Sequence, residues 1–301
     1  MLICDLHCDL PAKIQNGADI FTGHCHWTTD KLKHDNTYIQ IFAAFTDAHN
    51  CTDVFQNADA MLRKFKAVLQ SANIPILTDC TCQADRNMAI LAIEGGEALD
   101  GRLENIAYFY ELGVRFITLT WNYTNELGIG ASAGNGPLTD FGRAAIREMN
   151  RLHIIADVSH LCEAGFWDVL ECSTRPVTAT HSNAKSLCNH PRNLTDAQFT
   201  ALKNTGGLVG INFYPLFLES ASKQASIDSV LAHIEHFLAL GGEDTIALGS
   251  DFDGINTTPK GLRHIGEMDH IAEAMRKRNY SETLIQKIMG QNALNFFKSN
   301  L

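Results

Sequence analysis

The sequence lacks the features that would place the chain in or across a membrane. It contains no run of about 18 uninterrupted apolar residues, the length that a membrane-spanning helix requires. The N-terminus enters an apolar segment at once, without the basic region and small-residue cleavage site of a signal peptide. The C-terminus, Phe297–Leu301, carries no lipid-anchor motif. We therefore expect a cytoplasmic protein with no membrane partner.

Positive charge and paired cysteines are also scarce. The chain has 24 Lys and Arg against 34 Asp and Glu, a net charge of -10, and its longest basic run is Arg276–Arg278. This balance argues against binding nucleic acid through bulk charge, so we expect no nucleic-acid partner. The 9 Cys are odd in number, and the pair Cys80 and Cys82 has no second pair to complete a zinc ribbon. Reduced thiols are expected rather than a disulfide framework.

Apolar residues, in contrast, are abundant enough for a large core. They make up 45% of the 301 residues, whereas charged residues make up 19%, which excludes a disordered chain. Short segments rich in Val, Ile and Phe recur, and most are apolar throughout, as strands covered on both faces are. The predicted strands are Leu2–His7, Tyr38–Phe45, Met88–Glu94, Val114–Trp121, Ile154–His160, Val177–His181, Gly207–Tyr214 and Thr245–Asp251.

Amphipathic patterns between these segments predict helices. The predicted helices are Phe55–Ala72, Phe141–Leu152, Ala197–Lys203, Ile227–Leu240 and Ser281–Phe297. Thr139 and Thr195 stand where N-caps would lie. Alternating strands and helices favour parallel strands with right-handed crossovers, and eight such units predict one (β/α)8 TIM barrel domain over residues 1–301. The alternative, a doubly wound sheet, would need a glycine-rich phosphate loop where the sequence has Cys8–Pro11.

Two segments interrupt this alternation. Lys13–Thr37 has little periodicity, and Asn122–Pro137 contains four glycines. Long irregular segments in such barrels usually carry function. We expect the second segment to form a mobile loop above the mouth of the barrel.

Metal-competent side chains stand where five of the predicted strands end. They are those of His7 and Asp9, Glu94, His160, His181 and Asp251. The carboxyl ends of barrel strands meet at one rim, where the active sites of such barrels lie. His7 and Asp9 share a face, because residues two apart in a strand point the same way. Burying these imidazoles and carboxylates together would be costly unless a cation lay among them, and zinc accepts both kinds of ligand.

The size of this set favours two ions. One zinc takes about four ligands and would leave carboxylates unpaired. Two zinc ions about 3.5–4 Å apart, bridged by one carboxylate and a hydroxide, would use the set more completely. Glu94 is the expected bridge, because its strand lies between the strand of His7 and those of the two later histidines.

Other interpretations compete for single residues. A histidine or aspartate at one strand end is most often a cap or a hydrogen-bonding group, so the prediction rests on five strand ends together. The segment His24–His26 is expected to be an exposed loop rather than a metal site. His233 and His236 are spaced three apart on a predicted helix, and we expect them on a solvated helix face.

Several motifs in order resemble one enzyme family across nearly the whole chain. The motifs are Asp5–Pro11, Ile93–Gly96, Leu119–Asn122, Asp157–His160, Thr180–Ala184, His190–Asn193 and Gly249–Gly254. Together they resemble the membrane (renal) dipeptidase family of zinc metallopeptidases, within the amidohydrolase-like barrels.

The resemblance implies a role for each matching residue. His7 and Asp9 would hold one zinc, His160 and His181 the other, and Glu94 would bridge them. Arg192 matches the residue that binds the terminal carboxylate of the substrate, which suits a bidentate guanidinium. Asp251 matches the residue that acts as acid and base. The resemblance also hints at a homodimer.

The chain departs from this family at the fourth predicted strand. Trp121 stands where members such as the renal enzyme have a substrate-contacting histidine. This changes how the carbonyl or its oxyanion would be held, and with it the substrate preference. Trp121 and Tyr214, the last residues of two predicted strands, complete the candidate substrate-binding residues.

The sequence thus predicts a zinc-dependent dipeptidase with a dipeptide as its small-molecule partner. A metal-bridging hydroxide would attack the peptide carbonyl, and Asp251 would carry the proton to the leaving amine. One alternative is a metal-dependent hydrolase of a lactone, cyclic amide or other small amide. Another is a barrel that binds metal without catalysis, which is less consistent with the sequence because structural zinc sites are usually rich in cysteine.

Overall fold

Eight parallel strands close into a barrel. The computed structural model describes residues 1–81, 84–220 and 225–301. Within these residues each strand pairs with its neighbours along the chain, and the first pairs with the last. The strands are β1 (Leu2–Cys8), β2 (Thr37–Phe45), β3 (Met88–Glu94), β4 (Val114–Thr118), β5 (Ile155–Asp157), β6 (Thr178–Ala179), β7 (Leu208–Ile211) and β8 (Ile246–Leu248). The predicted (β/α)8 barrel is confirmed, and the doubly wound alternative was wrong.

Several strands end earlier than the sequence predicted. β4 ends at Thr118 rather than at Trp121, β5 ends before His160, and β8 ends before Asp251. His160 and Asp251 have left-handed backbones, with φ of 69° and 62°, which cannot continue a strand. His160 and Asp251 therefore lie on loops that follow the strands, whereas His7 and Glu94 lie within β1 and β3.

Helices surround the barrel on the connections between strands. They are α1 (Leu10–Gln15), α2 (Val54–Ser71), α3 (Glu104–Leu112), α4 (Asp140–Leu152), α5 (Glu163–Cys172), α6 (Asp196–Asn204), α7 (Pro215–Leu218), α8 (Ile227–Ala239), α9 (Asp269–Lys277), α10 (Glu282–Gln286) and α11 (Asn292–Asn300). The predicted caps are confirmed: Thr139 accepts a hydrogen bond from the Gly142 amide, and Thr195 forms a capping box with Gln198. Among the described residues, no helix is long and apolar enough to cross a bilayer.

The last predicted helix, Ser281–Phe297, is not one regular helix. A π-helical stretch over Lys287–Gln291 separates α10 from α11. A side chain at Gly290 would meet Leu2 Cγ at 2.7 Å, so the irregular turn packs its backbone directly against β1.

The C-terminal helix closes the amino end of the barrel. Phe297 of α11 is fully buried in the same core cluster as Leu6 and Phe116 from the strands. The rings of Phe297 and Phe116 meet edge to face, with centroids 6.2 Å apart. A second, larger core lies between the strands and the outer helices. With its amino end filled, the barrel opens at the carboxyl ends of its strands.

Cys8, Cys162 and Cys188 are buried thiols that form no disulfide within the described part of the chain. Cys82 lies outside the described residues. The predicted loop Asn122–Pro137 is irregular as expected, and an isolated bridge joins its Gly130 to Leu161.

Candidate metal centre and active site

The residues predicted as metal ligands converge on Glu94 at the carboxyl end of the barrel. His7 Nε2 lies 3.4 Å from Glu94 Oε2 and 3.4 Å from Asp9 Oδ2. On the other side, Glu94 Oε1 lies 2.9 Å from His160 Nε2 and 3.5 Å from His181 Nε2. All five side chains are buried. Each oxygen of Glu94 therefore faces one half of the set, which we call the His7–Asp9 half and the His160–His181 half.

Several atoms of this cluster lack the partners that buried polar atoms normally have. His7 Nε2, His181 Nε2 and Asp9 Oδ1 are buried without a hydrogen bond to any described residue. Ligand atoms of His7, Glu94 and His181 lie within 4.8 Å of one another, as do those of His7, Asp9 and Asp251. Lone pairs that converge without donors suit divalent cations, and nitrogen with carboxylate oxygen is a donor set that zinc accepts.

Gly254 leaves room for these carboxylates. A β-carbon at this position would overlap Asp9 Oδ2 and lie 2.6 Å from Asp251 Oδ1. A larger residue would therefore push the carboxylates out of the cluster. Sequence reasoning placed Gly254 in a motif but did not identify this role.

The charges around the His7–Asp9 half favour a cation. Burial opposes protonation of His7, but the carboxylates of Glu94 and Asp9 outweigh burial and raise the pKa of His7 well above its usual value. Burial and the nearby Glu94 raise the pKa of Asp9 well above its usual value. Burial also acts on Glu94, but His7 and His160 hold the pKa of this carboxyl well below its usual value. This half concentrates negative charge around one imidazole.

The His160–His181 half has the opposite balance. Burial and the charge of Arg192 lower the pKa of His160 to about 4. Burial and the charge of His7 hold the pKa of His181 well below its usual value. These two imidazoles are therefore neutral at neutral pH, the form in which histidine binds a metal.

A buried carboxylate behind the cluster orients His181. Asp157 accepts hydrogen bonds from the hydroxyls of Thr118 and Thr180, both at 2.6 Å, and from the amide of Thr180 at 2.8 Å. Because the Thr180 hydroxyl donates to Asp157, it accepts from His181 Nδ1 at 2.8 Å. Nε2 of His181 is then the unprotonated nitrogen, and it faces Glu94. Polar residues in the short apolar strands were the signal for this arrangement, which sequence reasoning missed.

Asn122 gives His160 the same orientation. Its side-chain oxygen lies 3.1 Å from His160 Nδ1, so Nδ1 is the protonated nitrogen and Nε2 faces Glu94. A second partner of this kind is common around metal-binding histidines.

Asp251 lies at the edge of the His7–Asp9 half and is held by a chain of amides. The side-chain Nδ2 of Asn212 donates to Asp251 Oδ2 at 3.0 Å. The backbone amide of Asn212 donates to Asn183 Oδ1, also at 3.0 Å. Burial raises the pKa of Asp251 to about 6. A carboxyl that titrates near neutral pH suits general acid and base catalysis.

Arg192 is a buried cation beside the His160–His181 half. It is 4% exposed, its Nε has no hydrogen-bond partner among the described residues, and Nη2 lies 3.4 Å from the carbonyl oxygen of His181. Burial lowers the pKa of its guanidinium to about 10. It forms no ion pair with any residue in the described ranges, so it can accept an anion from outside.

Two cavities open beside the cluster. The mouth cavity, about 330 Å³, is lined by Trp121 and Tyr214 together with Glu94 and Asp251. The lateral cavity, about 250 Å³, is lined by Arg192 and residues of the loops that follow β4, β5 and β6. His160 lines both cavities.

The expectation that His233 lies on a solvated helix face was wrong. His233 is 1% exposed, its Nδ1 accepts from the Ala184 amide at 3.0 Å, and its Nε2 donates to the Leu218 carbonyl at 3.0 Å. His233 therefore joins the loop after β6 to the end of α7. His236, by contrast, is partly exposed and contacts Asp196 at 2.8 Å.

The segment His24–His26 is likewise more than an exposed loop. His26 Nδ1 accepts a hydrogen bond from the Asp253 amide at 2.9 Å, and its own amide donates to Asp253 Oδ1 at 2.7 Å. These bonds tie the irregular segment before β2 to the loop after β8.

Known proteins resemble this chain over its whole length. The family model of the membrane dipeptidases, peptidase family M19, matches residues 1–300. A Klebsiella pneumoniae protein named for its position in the pqqA 5′ region is 38% identical over 229 residues, 72% of this chain and 84% of that protein. An uncharacterised dipeptidase of Schizosaccharomyces pombe is 32% identical over 298 residues, 91% of this chain and 72% of that protein.

Solved structures show the same barrel. A metallopeptidase of Rhodobacter sphaeroides, liganded with a phosphinate mimic of the dipeptide L-Ala-D-Ala, has a TM-score of 0.92 and 27% identity, covering 100% of this chain and 99% of its own. An M19 metallopeptidase named dipeptidase AC has a TM-score of 0.92 and 28% identity, with 100% and 98% covered.

Proposed function

Because this chain belongs to the membrane dipeptidase family, peptidase family M19, and is a metallo-dipeptidase, we propose that it cleaves dipeptides with two zinc ions bridged by Glu94. The observation that supports this proposal most directly is the convergence on Glu94 of buried Nε2 atoms, two of which have no hydrogen-bond partner among the described residues. Family membership favours this function over hydrolysis of a lactone or cyclic amide.

Each half of the cluster would hold one ion. His7 and Asp9 would bind the first and His160 and His181 the second, each together with one oxygen of Glu94. When bound, the metal pair supplies a water of lowered pKa as the nucleophile and polarises the peptide carbonyl.

The remaining residues would bind the dipeptide and move protons. Arg192 would hold the terminal carboxylate through its guanidinium. Asp251 would take the proton of the attacking water and deliver it to the leaving amine, with Asn212 keeping the carboxyl in place. Trp121 and Tyr214 would pack against the part of the dipeptide that lies in the mouth cavity. A cytoplasmic location, a single domain over residues 1–301 and a homodimer stay predictions.

Metal content paired with activity tests this proposal. We expect about two zinc ions per chain and hydrolysis of dipeptides such as L-Ala-L-Ala or L-Ala-D-Ala, lost on chelation and restored by zinc. The D-residue is included because the Rhodobacter relative is liganded with a mimic of that peptide. His181→Ala should lose metal, whereas His34→Ala, at an exposed histidine, should not.

Two results would contradict the proposal in different ways. Two bound metals without cleavage of any dipeptide would keep the metal site and reject the substrate. A protein without tightly bound metal would reject the ligand assignment itself.

A further inference from the structure

The two cavities beside the metal cluster differ in chemistry. Aromatic side chains line much of the mouth cavity, namely those of Phe45, Trp121, Tyr214 and Phe217. The lateral cavity is lined instead by polar residues that include Ser182, Lys185 and Arg192. His160, which is close to Glu94, is the residue common to both linings in the described part of the chain.

A dipeptide has two residues to place on either side of its scissile bond. If the bond lies at the metal cluster and Arg192 holds the terminal carboxylate, then the C-terminal residue lies on the Arg192 side. Arg192 lines the lateral cavity, and its Cζ lies 5.4 Å from the ring of Phe217, which lines the mouth cavity. Arg192 therefore borders both cavities, so a C-terminal residue held by it can direct its side chain into the lateral cavity while the N-terminal residue occupies the mouth cavity.

The lateral cavity contains polar groups that have no hydrogen-bond partner among the described residues. Ser182 Oγ, Arg192 Nε and Asn193 Oδ1 are buried without a hydrogen bond to a described residue, and all three residues line this cavity. Buried polar atoms without partners are costly, so a polar ligand is the natural complement of this surface.

The charges of the lateral cavity favour an acidic ligand. Lys185 and Arg192 line it, and neither forms an ion pair with a described residue. Its acidic lining residue within the described ranges is Glu163, which is exposed. Lys185 is anchored from both sides: its amide donates to the Leu194 carbonyl at 2.8 Å, and the preceding amide donates to His233.

We propose that the lateral cavity is a specificity subsite for the C-terminal residue of the dipeptide, and that Lys185 makes it favour an acidic side chain. This inference rests on the proposed dipeptidase function and deepens it. Arg192 takes the terminal carboxylate, while Lys185 pairs with the side-chain carboxylate of a C-terminal Asp or Glu. The half-buried lysine gives this pair less screening than a fully exposed one would have.

Two peptides of matched shape test the subsite. We would measure kcat/KM for Ala-Glu and Ala-Gln, each with an L- and a D-residue at the C-terminal position. The wild-type enzyme should favour the Glu peptide by about fivefold, the effect of one partly exposed ion pair. Lys185→Met should abolish this preference, Lys185→Arg should keep it, and added salt should weaken it in the wild type.

Metal content and thermal stability of each variant show whether it folds normally. Lys277→Met, at an exposed lysine of α9, is the matched control and should leave both rates unchanged. An equal rate on both peptides in the wild type, or the same ratio in Lys185→Met, would overturn the subsite alone. Failure to cleave either peptide in a metal-dependent way would overturn the proposed function as well.

Discussion

The two halves of the metal cluster use the same kind of ligand in opposite electrostatic surroundings. Asp9 and Asp251 lie beside His7, and against the effect of burial the carboxylates of Glu94 and Asp9 raise its pKa well above the usual value. Arg192 acts on the other half, where burial with this positive charge lowers the pKa of His160 to about 4. Burial disfavours the protonated imidazole in both halves, and only in the His7–Asp9 half do neighbouring carboxylates outweigh it and hold a proton before metal binds.

This difference predicts that the two halves bind metal unequally. An ion in the His7–Asp9 half is stabilised by more negative charge, whereas an ion in the His160–His181 half feels the repulsion of Arg192. We expect the first half to bind metal more tightly once its protons have left. Variants can test whether the two halves depend on each other or act separately.

The largest effect is expected at the residue that the halves share. Glu94→Gln removes the negative charge of a carboxylate whose two oxygens face the histidines of the two halves. The metal affinity of both halves should therefore fall together. We expect kcat/KM to fall by a factor on the order of 10⁴, as for members of a group that acts as a unit. Steady-state kinetics and metal analysis measure the two losses.

Glu97→Gln is the matched control for this change. Glu97 is the next acid along the chain, and its carboxylate accepts from Asn125 rather than facing the cluster. The glutamine can keep that bond, so activity should stay within a few-fold of wild type. Retention of both metals in Glu94→Gln would show that the halves bind independently of the shared carboxylate.

A smaller loss is expected from Asp251→Asn, which leaves the candidate ligands in place. The amide cannot accept a proton, so kcat should fall by about 10² to 10⁴ with metal content intact. In the wild type, activity should decline as the pH falls through about 6, because the protonated carboxyl of Asp251 can no longer act as a base.

Asp253→Asn provides a comparison on the same loop. Asp253 also has a left-handed backbone, but its carboxylate accepts from the amides of His26 and Trp27. We expect this variant to lower the melting temperature more than Asp251→Asn does. Normal turnover in Asp251→Asn would reject its role as the acid and base.

Removing the orientation of His181 should affect the His160–His181 half more than the other, because the Thr180 hydroxyl lies 2.8 Å from His181 Nδ1 but 3.4 Å from His7 Nδ1. Thr180→Val deletes the hydroxyl that joins Asp157 to His181 Nδ1, so the second metal should bind about 10–100-fold more weakly. Thr180→Ser keeps the hydroxyl and should restore affinity. Metal titration should show one site weakened clearly more than the other in Thr180→Val, and equal weakening of both sites would argue against separate halves.

The barrel and the candidate ligands were readable from the sequence because each rests on a strong local pattern. Apolar segments of strand length predicted the strands. The change from apolar to polar residues at the ends of these segments identified His7, Glu94 and His160 as candidate ligands. The left-handed backbones of His160 and Asp251 could not be predicted from the sequence, so β5 and β8 were predicted too long.

Roles that depend on distant contacts could not be predicted. The periodicity of α8 indicated an exposed His233, but its partners lie outside that helix: Ala184 in the loop after β6, and Leu218 at the end of α7. The lateral cavity is assembled from three loops in the same way, so nothing in the sequence around Lys185 marks it as part of a pocket.

The smallest effect is a difference in proton release. The raised pKa values of His7 and Asp9 mean that protons must leave when metal fills their half, whereas the neutral His160 and His181 release none. Calorimetry in buffers of different ionisation enthalpy should therefore find about one or more protons released with the first zinc and close to none with the second. By the same argument, lowering the pH should weaken the His7–Asp9 half first. Equal proton release for both ions would show that the neighbouring charges do not separate the two halves.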